Sequence, residues 1–163
     1  MRWGRKGWWI GALAAVWAGG LLVAAIWSAH HDPATVRGQS GLAEGRQSLD
    51  RAVTVLVEAA DASLGVTADV GPLREATGCR VTVARNGTEL DQSVLLTVPA
   101  GQEPALLERL VADLPAQWQA RYDPGNGRFF ADAGDFVAIR GGVEEPGQVV
   151  LTAETGCRPG DAP

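Results

Sequence analysis

The chain has 163 residues, 46% of them apolar and 20% charged, enough for one membrane span and one domain of about 120 residues with a real core. Removing Arg2, Arg5 and Lys6 from the 14 basic side chains leaves 11 beyond residue 31 against 19 acidic ones, a net charge of −8 that repels phosphate backbones and argues against nucleic acid as a partner. Beyond His31 there is no histidine and no lysine, so Ser–His, Cys–His and Ser–Lys catalysis are all excluded from that stretch.

Residues 8–27 (WWIGALAAVWAGGLLVAAIW) form a run of twenty without a charge. As a helix rising about 1.5 Å per residue, it matches the roughly 30 Å hydrocarbon core of a bilayer. Trp8, Trp9 and Trp27 fall where the two headgroup layers would lie. Arg2, Arg5 and Lys6 precede the run, so the positive-inside bias places residues 1–7 in the cytoplasm and the remainder outside. A cleaved signal peptide is the rival reading. The run is longer than the usual apolar region of about 7–15 residues, and Trp27-Ser28-Ala29 puts a bulky side chain where cleavage wants a small one. The expected location is therefore the cell membrane, single-pass, with an extracytoplasmic C-terminal domain. Gly7, Gly11, Ala15 and Gly19 recur every four residues, a small-residue face through which two helices would approach and form a homodimer.

Residues 28–39 read as a polar stalk containing Pro33 and Gly38. His30-His31-Asp32 sits there, but adjacent histidines on a stalk do not build a closed metal site, so neither metal nor cofactor is expected. A helix is predicted over residues 40–64, with Leu42, Leu49, Val53, Leu56, Val57, Ala60 and Leu64 at helical spacing and Gly65 terminating it. Leu42, Leu49 and Leu56 also lie seven apart, but Gly45 and Arg46 weaken a coiled-coil seam, which favours packing on the chain's own sheet.

Residues 66–76 are irregular by pattern. Residues 80–85 (RVTVAR) alternate, Asn86-Gly87 offers the two positive φ angles of a tight hairpin, and residues 93–98 (SVLLTV) supply a central strand. A second helix starts near Glu103-Pro104, carries Leu106, Leu107, Leu110, Val111 and Leu114, and stops at Pro115. Trp118, Ala120 and Tyr122 then alternate with polar residues. Residues 123–127 (DPGNG) make a turn that lacks the carboxylate spacing of a calcium loop. Residues 128–132, 135–140 and 148–153 read as further strands. The expected fold is α+β: one N-terminal transmembrane helix, then a small domain over residues 40–159 with a mostly antiparallel sheet and two helices, and a tail over residues 160–163.

The two cysteines share one context, Thr77-Gly78-Cys79-Arg80 and Thr155-Gly156-Cys157-Arg158. Their even number and their export predict a Cys79–Cys157 disulfide. No Cys-x-x-Cys pair exists for redox catalysis, so the bridge is expected to be structural. The TGCRVT…TGCRP frame, with the strand at residues 94–99 and ADAGDFVAIRG at residues 131–141, resembles uncharacterised small membrane-anchored proteins of actinobacteria. The resemblance covers residues 76–159 and implies a location at the membrane; it implies nothing catalytic.

These features favour a membrane-anchored, extracytoplasmic, non-catalytic module that binds a protein or cell-envelope partner. A carboxylate hydrolase is the first alternative, because two acids about 5–9 Å apart suffice for glycoside cleavage. Asp132 and Asp135 are its candidates, with Glu144-Glu145 behind them, although acids beside glycine at strand ends usually form turns. The second alternative is a bitopic scaffold that dimerises through the anchor face.

Overall fold

The computed structural model describes residues 15–23, 40–61, 65–82 and 85–160. The chain divides into two compact units, Met1–Gly38 and Gln39–Pro163.

In the first unit, residues 15–23 form a helix, α1, whose side chains are all exposed. No helix among the described residues is long and apolar enough to cross a membrane, which corrects the transmembrane element of the expected fold class. The rest of the 8–27 run lies outside the described residues.

The second unit is the α+β domain. Its elements are α2 (Leu42–Asp61), β1 (Thr67–Val70), β2 (Arg74–Thr82), β3 (Arg85–Thr97), α3 (Glu103–Asp113), a 3₁₀ turn (Ala116–Trp118), β4 (Arg121–Asp123), β5 (Arg128–Gly134), β6 (Val137–Glu145), β7 (Gln148–Thr155) and β8 (Arg158–Pro159). Every pairing is antiparallel. The long β3 is the axis: β1 and β2 lie end to end along one of its edges, and β7 and β8 along the other. Beyond β7 the sheet continues through β6 and β5 to β4.

Period-two alternation decides which face is covered. Val94 of β3, Leu151 of β7 and Phe129 of β5 fall in one register row and are buried. Leu49, Val53 and Leu56 of α2 and Leu106, Leu107 and Leu110 of α3 close over that face. Each fully buried leucine contributes about 2 kcal/mol of transfer free energy. The opposite face carries neither α2 nor α3. α3 begins where predicted, with Pro104 in its first turn and Glu103 favourably placed at the positive end of its dipole. It stops because Leu114, ahead of Pro115, turns to an extended conformation.

Three local expectations change. Asn86-Gly87 is not a turn: both residues lie within β3, paired with Arg80 and Cys79. Residues 66–76, expected to be irregular, contain β1 and the start of β2. Asp135, expected to open a strand, is with Phe136 the two-residue turn between β5 and β6; their φ angles are 48° and 57°, the geometry of a type I′ turn.

Candidate functional site

Cys79 lies on β2 opposite Gly87, and Cys157 lies in the break between β7 and β8. Their Cα atoms are 5.8 Å apart and the two are joined in a disulfide, as the shared tetrapeptide predicts. Gly87 makes the crossing fit. A Cβ there would stand 2.3 Å from the Arg158 carbonyl oxygen and 2.8 Å from the Cys157 sulfur, so the glycine answers the close approach of β3 and the segment around Cys157.

Next to the bridge, Arg158 is 0% exposed. Its Nη1 donates to the Ser40 hydroxyl and, at 3.4 Å, to the Ser40 carbonyl; its Nη2 donates to the Asp135 carbonyl. The Asp135 carboxylate lies 3.9 Å from Nη1 and also accepts from the hydroxyls of Ser40 and Ser48. Burial pulls the Arg158 guanidinium below its ordinary pKa, while the negative charges of Asp135 and Glu44 push it back up. The cation also sits 5.6 Å from the Phe136 ring. Together these contacts hold two non-glycine residues in a left-handed turn that neither favours alone.

The candidate carboxylates are therefore occupied by architecture. Asp135 is bonded to two hydroxyls and a buried cation. Asp132 accepts the Gly134 N–H at 3.0 Å, bracing the bulge before the turn. Glu144 and Glu145 end β6 as exposed side chains. Among the described residues, no group of three or more His, Cys, Asp and Glu is placed to hold a metal ion. Of the small-residue face, Ala15 and Gly19 lie on α1 one turn apart; Gly7 and Gly11 lie outside the described residues.

The face of the sheet opposite α2 and α3 carries a different array, absent from the sequence-based candidates. Arg121, Phe130, Arg140, Thr152 and Ser93 share one register row across β4, β5, β6, β7 and β3. The Arg121 guanidinium stacks 4.2 Å from the centre of the Phe130 ring, and that of Arg140 lies 5.8 Å away. Arg140 pairs with Glu154, and Arg74 pairs with Asp91 at 2.6 Å farther along the sheet. Arg121 and Arg128 have no carboxylate within ion-pair distance among the described residues. A shallow depression of about 160 Å³ opens beside them, lined by Arg121, Tyr122, Asp123, Asn126, Arg128 and Phe130 among others; Asp123, opposite Arg128, accepts from the Gly125 amide and the Asn126 side chain. The sequence signal was the Phe129-Phe130 pair: in a strand, adjacent aromatics point to opposite faces, so one of them had to leave the core.

No protein-family model matches the chain, and neither does any curated protein. Among solved structures, the chain is similar to the crystal structure of a DUF4853 family protein from Actinomyces odontolyticus ATCC 17982. The two are 14% identical, the likeness covers 76% of this chain and 72% of that one, and the TM-score is 0.51. At that identity the likeness shows the fold alone.

Proposed function

We propose that the domain is an extracytoplasmic binding module that holds a protein or cell-envelope partner against the uncovered face of its sheet and performs no reaction on it. The observation that carries this reading is Phe130 flanked by Arg121 and Arg140 on the face opposite α2 and α3, with Arg121 and Arg128 in no ion pair among the described residues of an otherwise acidic domain. Arginine and large aromatic residues are the side chains that most often anchor interfaces. A guanidinium stacked on a ring keeps its edge donors for a partner's acceptors while the ring covers its apolar side. The oxidised cysteines favour an extracytoplasmic setting, since reducing compartments keep such pairs open. The engagement of Asp132 and Asp135 in turn geometry speaks against the hydrolase alternative.

A photo-crosslinking residue in place of Phe130, introduced into the chain in its own cells, tests the reading. The expected result is one crosslinked partner whose yield falls about tenfold with Arg121→Ala. Turnover of a glycan substrate that Asp135→Asn abolishes, with Phe130→Ala harmless, would overturn it.

A further inference from the structure

On the opposite side of the sheet, the groove between α2 and the edge strand β1 carries a separate inference, independent of the Phe130 surface. We propose that this groove docks an extended basic segment of a partner protein, added as a strand alongside β1. Among the described residues β1 pairs with β3 alone, from Thr67↔Thr97 to Val70↔Val94, so its outer edge has no strand beside it. Unpaired strand edges are templates for an added strand. Because Val94 faces the core, its partner Val70 points to the α2 side, where it is 42% exposed. Val70, Val53 and Val57 are the apolar lining of a groove of about 430 Å³. Gln92 also lines it and is held there by its donation to the Gly71 carbonyl at 2.9 Å.

The rim states the chemistry of the occupant. Asp50 and Glu58 both line the groove on α2, with Thr54 between them, and neither carboxylate has an ion-pair partner among the described residues. Eight residues of helix separate them by about 12 Å. That is close to the roughly 13 Å between side chains i and i+4 of an extended chain. A strand with basic residues at i and i+4 and an apolar residue at i+2 thus sets two cations against two carboxylates and a hydrophobic group over the valines. The domain's net negative charge adds a long-range attraction for such a segment. A second copy pairing β1 to β1 would instead bring two Asp69 carboxylates together on one short interface, a like-charge contact that costs stability.

The test uses the complete chain, oxidised, with a fluorescein-labelled peptide Thr-Arg-Thr-Val-Thr-Arg-Thr as probe. Three companion peptides carry glutamate in place of arginine, proline in place of the inner threonines, or a scrambled order. The expected result is salt-sensitive binding of the arginine peptide, weakened about tenfold or more by Asp50→Lys with Glu58→Lys, two exposed positions. The same charge reversal should create binding of the glutamate peptide, a gain that misfolding cannot produce. Val70→Lys gives a second loss by placing a cation at the groove floor. Absence of binding at millimolar peptide, indifference to charge reversal, or equal binding of the proline or scrambled peptide would each overturn the proposal. Loss of binding in Phe130→Ala would move the peptide to the other face and overturn it too. A dimer in sedimentation that Val70→Lys dissolves would assign the groove to a second copy instead.

Discussion

Replacing both bridging cysteines, Cys79→Ser with Cys157→Ser, reopens a loop whose ends are 78 positions apart. For a loop of that length, the chain-entropy relation gives about 4.5 kcal/mol at 25 °C through restriction of the unfolded chain. A domain of this size typically holds about 5–15 kcal/mol in all, so the loss is a large fraction of the whole. With an unfolding entropy of about 0.25 kcal/mol/K for roughly 120 residues, the melting temperature should fall by about 18 °C. Urea unfolding followed by far-ultraviolet circular dichroism measures this directly. The double variant and the reduced wild type should unfold at the same midpoint. Both should show a larger m-value than the oxidised protein, because the uncrosslinked unfolded chain exposes more surface. Each single serine variant should already lose most of the effect. A loss under about 1 kcal/mol with an unchanged m-value would refute the reasoning, since the unfolded chain would then not feel the closure.

Arg158→Met keeps most of the buried stem's volume and removes the donors that hold the β5–β6 turn. We expect a cost of about 2 kcal/mol, below that of a fully buried broken pair because Asp135 is 44% exposed and water takes up part of its charge. The Gly156 amide, which donates to the Phe136 carbonyl at 3.0 Å, should exchange its hydrogen markedly faster; unchanged exchange would show that the turn does not need the cation. Glu103 accepts the Gly147 N–H, and this bond with those of its own and Gly101 amides holds its carboxyl below the ordinary value of 4.5. A depressed folded pKa stabilises the protein above the unfolded value, and that stabilisation disappears as pH falls through the folded pKa. Glu103→Gln should therefore lower the urea midpoint at about pH 7, and the difference from wild type should shrink as pH falls through the depressed folded pKa; a difference that stays constant down through the acid range would contradict the assignment.

How far the fold could be foreseen differs from element to element. α3 was legible because proline, an acidic first turn and a clear apolar stripe agree, and the structure keeps both its ends. The core half of α2 was legible from its apolar stripe alone, Leu49, Val53, Leu56 and Ala60 at helical spacing. Asn86-Gly87 misled because its local hairpin preference is real, but Gly87 is required beneath the disulfide, where any side chain would strike Arg158 and Cys157. Gly45 has a parallel cause: a Cβ there would press on the Arg158 side chain at 3.2–3.4 Å, so its presence within a helix records a tertiary contact. The Asp135-Phe136 turn had no signature, since phenylalanine is among the last residues expected at positive φ. Its support comes from Ser40, Ser48 and Arg158, which no local window contains. The acids of ADAGDF were visible, and the structure gives them supporting roles. The Arg121–Phe130–Arg140 array needs cross-strand register, which pattern alone does not supply.

The contact between Ser40 and Arg158 spans 118 positions. Nearly the whole unit must therefore be present before its opening and closing segments can meet. Until then β3 lacks its β7 and β8 neighbours, and the half-built sheet keeps bare apolar surface within reach of other unfolded chains. Folding should accordingly begin late and finish abruptly, with the arrival of β8 locking the start of α2 in place and bringing Cys157 to the thiol that has waited on β2.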